Sequence, residues 1–171
     1  MPCADDKVTR GGFTLVEILI TIAILGILVV IAVGNFGGLS EKYRVEAETK
    51  QLYADLMDAR GRAMQRNRAS FVQINGNDYQ TYEDTSPAPD GDGSLQNTDT
   101  LITNAKVSHA IATGNIAVPL SFNFNRNGIA SVTGFIRFSS TALPDYDCIW
   151  IRSTRVKMGQ YNATGNTCAE K

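Results

Sequence analysis

Histidine is almost missing from this chain of 171 residues, and neither sign of charge is in excess: His109 is the single imidazole, and 16 Lys and Arg face 17 Asp and Glu, for a net charge of -1. One histidine set among Ser and Ala supports neither a catalytic triad nor a metal cluster. The chain therefore reads as a non-enzyme without cofactors, with His109 as a surface residue. A net charge near zero gives no bulk attraction to nucleic acid, so any such binding has to be local. Cysteine is scarce too. Cys3 stands apart and lacks the preceding apolar stretch that a lipid-modified Cys needs, whereas Cys148 and Cys168 pair up near the C-terminus and suggest a disulfide in an oxidising compartment. Asp90-Gly91-Asp92-Gly93-Ser94 starts like a calcium loop, but Leu95 stands where the loop's Gly belongs and Leu101 where its bidentate Glu belongs. An acidic turn is the simpler reading. Asn162-Ala163-Thr164 fits a glycosylation acceptor pattern and is assigned no role.

What the chain does have is a long apolar run near its start. Residues 13–33 would form a helix about 31 Å long, close to the thickness of a bilayer's hydrocarbon core. Fifteen of these residues are Phe, Leu, Ile or Val. Each contributes about 0.3 to 0.6 kcal/mol on insertion, which together outweighs the few kcal/mol charged for Glu17. A membrane span follows, carrying an acid that is by default functional. A cleavable secretory signal would place its small residues after the apolar run. Here Gly11-Gly12 comes before it, so processing at that point leaves the hydrophobic helix on the mature chain. Lys7 and Arg10 precede the span and Lys42, Arg44 and Lys50 follow it, so charge counting does not fix its orientation.

Gly12-Phe13-Thr14-Leu15-Val16-Glu17 resembles the type IV prepilin class at every position of its processing motif. The resemblance implies that a prepilin peptidase cuts between Gly12 and Phe13 and methylates the new amine of Phe13. It also implies that Glu17 meets the amine of a neighbouring subunit and sets axial register. Further along, Leu52-x-x-x-Leu56-x-x-Ala59-Arg60, Phe124-x-x-x-Gly128 and the basic pair Arg155 and Lys157 resemble the GspH/FimT group of minor pilins and pseudopilins. Gly34 and Thr154 depart from it, standing where Pro and Gly are common. The expected function is a structural subunit of a type IV pilus or a type II secretion pseudopilus that helps start or cap the filament. Its partners would be the peptidase, other pilin subunits and the inner membrane, with the C-terminal domain in the periplasm. Arg152, Arg155 and Lys157 carry an alternative in which the chain captures DNA for uptake, and a third reading has it contact exported proteins.

Four regions follow from the pattern: a leader over 1–12, an apolar helix over 13–33, a Gly-rich segment and amphipathic helix over 34–69, and a β-rich domain over 70–171. Three glycines in 34–38 soften the helix by about 1 kcal/mol each relative to Ala. Val45, Thr49, Leu52, Leu56, Ala59 and Ala63 then recur at three- and four-residue steps and predict one buried stripe. The other faces, with Glu46, Glu48, Asp55 and Arg60 among their charges, read as solvated or neighbour-facing. From Ser70 the period changes to two, with a hairpin signal at Gly76-Asn77 and further strands over 101–107, 120–124, 135–138 and 148–153. The expected fold is α+β: a long N-terminal helix, transmembrane in its first half and amphipathic in its second, packed on an antiparallel sheet. A Cys148–Cys168 bridge would staple the tail to that sheet.

Overall fold

The computed structural model describes residues 12–114 and 120–171, and of residues 32–37 the backbone alone. The chain divides into two compact units, one running to Leu39 and the other Ser40–Lys171. A single helix assignment, α1 (Leu15–Arg66), covers residues of both. Its backbone stays helical through 34–38, where composition predicts a softened stretch, because a glycine weakens a helix without ending it. The side chains of 32–37 lie outside the described residues, as does the expected leader up to residue 11. Among the described residues no helix is long and apolar enough to cross a membrane.

In the second unit the predicted stripe is buried: Val45, Thr49, Leu52 and Leu56 are fully covered, and Ala59 and Ala63 nearly so. The helix stops where local chemistry allows it. Asn67 adopts φ 55°, a left-handed conformation that Asn tolerates better than most residues, and the Arg68 N–H reaches back to the Ala63 carbonyl at 3.2 Å. Among the described residues nine strands follow: β1 (Ser70–Asn75), β2 (Asp78–Glu83), β3 (Thr100–Lys106), β4 (Ile111–Thr113), β5 (Leu120–Phe124), β6 (Gly134–Phe138), β7 (Cys148–Ile151), β8 (Val156–Asn162) and β9 (Thr167–Glu170). They form two antiparallel sheets, ordered β3-β2-β1-β5 and β4-β6-β7-β8-β9, rather than the one sheet expected. The β1–β2 hairpin turns at Gly76-Asn77, as its sequence signals, with Gly76 at φ 62°. Stripe residues of α1 share one core with Val72, Ile74, Phe122 and Phe124 of the first sheet and Ile136, Ile149 and Ile151 of the second.

Two of the strands missed by sequence reasoning, β8 and β9, have a physical excuse. Gly159 in β8 looks like a strand breaker. A Cβ there would lie 2.2 Å from the Ala169 carbonyl oxygen and 3.1 Å from Cys168 Sγ, so the glycine permits close approach of its neighbour. Cys148 on β7 and Cys168 on β9 are joined by a disulfide, with Cα atoms 6.0 Å apart and β8 between their strands. The tail is thus a paired edge strand as well as a stapled one.

Candidate functional site

Gly12 and Phe13 precede the first turn of α1, and a Cβ at Gly12 would meet nothing within 4 Å. Gly12 and Phe13 are both exposed, ahead of the helix. Thr14 caps the helix: the Glu17 N–H donates to Thr14 Oγ1 at 3.2 Å, and the Thr14 carbonyl accepts from Glu17 and Ile18. Thr14-x-x-Glu17 is half of a capping box, a signal present in the sequence that the reading of Glu17 as a membrane anomaly passed over. In the first turn the helix dipole favours a carboxylate by about 0.3 to 1 kcal/mol, so this is the least costly place in the apolar helix for an acid. Around it the helix is bare. Phe13 and Leu15 are each 80% exposed and Val30 is 74% exposed.

The second unit brings the more distant motif residues together. Arg60, the last residue of the Leu-x-x-x-Leu-x-x-Ala-Arg pattern, donates from Nε to the Gly128 carbonyl at 2.8 Å and from Nη2 to the Thr154 carbonyl at 2.9 Å. Gly128 sits at φ 70°, and a Cβ on it would meet Met64 Sδ at 2.7 Å. Two stretches that resemble one family pattern are thus a single contact in space, and Thr154 joins it through its backbone, for which its side chain is indifferent.

His109 is no surface residue. Its imidazole, in the β3–β4 connection, lies between two acids of α1, with Nδ1 2.7 Å from Glu48 Oε2 and Nε2 2.6 Å from Glu41 Oε1. Glu48 also accepts the N–H groups of Ser108 at 2.8 Å and His109 at 3.3 Å. Burial alone would pull the imidazole's pKa down, but the bonds to Glu48 and Glu41 more than offset it and raise the pKa above the ordinary His value. Burial likewise pushes the Glu48 carboxyl up, and the Ser108 and His109 bonds overcome that and hold it below the usual Glu value. Other charges of α1 expected to face solvent or neighbours also tie down the domain. Glu46 accepts the Asp145 N–H at 2.9 Å, and Asp55 accepts the Tyr79 hydroxyl at 2.5 Å. Sequence alone could not separate these acids from their solvated neighbours, because their partners lie 24 to 99 residues away.

Arg152, Arg155 and Lys157 do come together, around one carboxylate. Glu170 lies 3.6, 3.0 and 3.0 Å from them, and Lys157 foremost holds its pKa below the usual Glu value. Arg152 also sits 5.4 Å above the Trp150 ring, which stacks on Phe135. The calcium-like turn is folded on itself: Asp84 accepts the N–H groups of Asp92 and Gly93, and Asp92 accepts from Ser94 and Gln96. Among the described residues no group of three His, Cys, Asp or Glu side chains is placed to hold a metal ion.

Against known families, residues 8–33 match the prokaryotic N-terminal methylation motif. No curated protein and no solved structure matches the chain. With the capped Thr14–Glu17 start and the apolar helix behind it, this match supports a type IV prepilin-like class for the N-terminal part of the chain. The motif implies processing by a prepilin peptidase and assembly with other pilin subunits.

Proposed function

We infer that the chain is a minor subunit of a type IV pilus or of a type II secretion pseudopilus, starting or capping the filament. In this reading it is held first in the inner membrane by residues 13–33, with the second unit in the periplasm. Cleavage between Gly12 and Phe13 then frees the Phe13 amine for methylation. The observation that carries the reading is an apolar helix bare on all sides with its one acid at a capped start. Such a surface calls for other helices around it, and Glu17 then meets a neighbour's amine in low dielectric. Leaving one partner of such a pair alone costs about 3 to 5 kcal/mol. The contact of Arg60 with Gly128 and Thr154 supports a GspH/FimT-type domain, since it joins the two stretches that resemble that group.

Glu17→Ala tests the assignment. Cleavage and methylation, read by mass spectrometry, should proceed as in the wild type, while recovery in sheared filaments should fall sharply. Normal recovery would refute the register role. A second reading, DNA capture, has one observation in its favour: three cations share a single carboxylate, so the β7–β9 edge keeps excess positive charge.

A further inference from the structure

The face of the β3-β2-β1-β5 sheet turned away from α1 carries an uncharged row. Val72, Ile74, Tyr79 and Phe122 lie in the core with α1, so strand alternation puts Gln73, Gln80 and Ser121 on the opposite face. Register aligns them: Ser121 stands opposite Gln73, Gln73 opposite Gln80, and Gln80 opposite Asn104. The row crosses all four strands, with an amide or hydroxyl about every 4.8 Å and a total length of about 14 Å.

Two of these groups are already oriented. The Tyr82 hydroxyl donates to Gln80 Oε1 at 2.7 Å, and Gln80 Nε2 donates to Asn104 Oδ1 at 3.3 Å. That leaves the Asn104 amide nitrogen and the second Gln80 N–H free to donate. The side chains of Gln73, Asn75 and Ser121 have no hydrogen-bond partner among the described residues. Together with Asp78 these groups line a cavity of about 540 Å³, within the range of small-molecule sites. Among the described residues Asp78 is the one charged side chain in the lining, and Lys106 stands across from it in register.

We propose that this row binds a neutral saccharide, whose hydroxyls replace water on Gln73, Gln80, Asn104 and Ser121. A sugar hydroxyl donates and accepts at once, which is what alternating amides and a serine hydroxyl require. A polyanion finds no cation in the row, and an apolar ligand would desolvate four polar groups without satisfying them. An extended peptide adds along a strand edge rather than across four strands. An extended glycan places successive pyranose rings at close to the strand spacing, so a trisaccharide spans the row.

This assignment does not rest on the filament reading, because binding is read without assembly. The full chain, in a zwitterionic detergent free of sugar headgroups, is applied to an array of neutral trisaccharides with sulfated and sialylated counterparts. The best neutral trisaccharide is then titrated by calorimetry. Neutral trisaccharides should be retained, and Gln73→Ala and Asn104→Ala should each weaken binding by about tenfold or more with unchanged circular dichroism. Ser121→Trp, which fills the groove, should abolish it, and Arg155→Ala should leave it unchanged. No binding of any neutral trisaccharide at millimolar concentration overturns the proposal, as does preference for the charged glycans or binding that these row variants leave untouched.

Discussion

Replacing His109 by Ala should cost the second unit about 2 to 4 kcal/mol, and the size of the loss should depend on pH in a defined direction. The bond to Glu48 supplies most of it. Glu48 is 14% exposed and His109 10%, and a hydrogen bond to a charged group in such surroundings contributes about 1.5 to 3 kcal/mol. Glu41 is 37% exposed, so its contact belongs with surface pairs, at about 0 to 1 kcal/mol. The backbone N–H groups of Ser108 and residue 109 survive the substitution, so Glu48 is not orphaned and the loss stays moderate. For a unit of this size the midpoint of thermal unfolding should fall by roughly 10 °C. The assay is thermal or urea unfolding of the full chain in detergent, followed by the far-ultraviolet signal of the strands.

His109's folded pKa is raised above its ordinary 6.5, so its contribution is complete below that value and fades as pH rises through the folded pKa. Glu48's folded pKa is lowered, so its share is present above the ordinary 4.5 and disappears as pH falls through the folded value. The difference between wild type and His109→Ala should therefore be greatest between about pH 4.5 and 6.5 and shrink in alkaline buffer. Arg137 lines the same hollow as Glu41 and stays charged throughout, so it does not alter this direction. A loss below about 0.5 kcal/mol, the size expected of an ordinary surface residue, would refute the clamp. So would a difference that is flat from acid to alkaline buffer.

Three further outcomes are expected. Gly128→Ala should lose about 1 to 3 kcal/mol, from the left-handed backbone and the contact with Met64, and combined with Arg60→Ala it should lose less than the sum of the two; strict additivity would show the contact is not a unit. Cys148→Ser with Cys168→Ser removes a link of sequence separation 20 and should lower stability by about 3 kcal/mol, as should reductant on the wild type; a shift under about 1 kcal/mol would rule out that account. For the DNA reading, Glu170→Gln should strengthen a low-salt electrophoretic shift and Arg155→Ala with Lys157→Ala should weaken it, whereas three identical shifts would end that reading.

How much could be read from residues alone divides along physical lines. Periodicity is local, so the buried stripe of α1, the helix end near Asn67 and the β1–β2 hairpin were legible within a residue or two. Of the second sheet, β6 and β7 were legible but β4 and β8 were not, because β4 has three residues and β8 carries the glycine that its neighbour's approach requires. The pairing of Cys148 with Cys168 needed only a count. The placing of Glu46, Glu48 and Asp55 needed the fold, since an acid on a helix looks the same whether water or a distant loop N–H meets it. His109 was misjudged for the same reason: a lone histidine has no pattern, and its two partners sit on a helix 61 and 68 residues earlier.

The capped start changes what Glu17 means for assembly. Taken as a bare charge in hydrocarbon, it is a cost of a few kcal/mol that the apolar residues have to outweigh. As the third residue of a helix begun by Thr14, it sits where the unpaired N–H groups and the dipole already favour a carboxylate. The lone subunit can then hold the acid at modest cost while it waits. On the proposed reading, cleavage adds a cation at Phe13, four residues before Glu17, and changes the balance again: the subunit then carries both charges at one end, and a neighbour shifted along the axis can exchange partners with it. On the same proposed reading, the acid's position four residues after Phe13, rather than its presence, is what makes the exchange possible. Moving it one turn along, with Glu17→Ile and Thr21→Glu together, keeps the charge and Thr14's cap on the residue-17 N–H but takes the acid out of the first turn; incorporation into filaments should fail as completely as in Glu17→Ala, and recovery by the shifted acid would show that charge alone suffices.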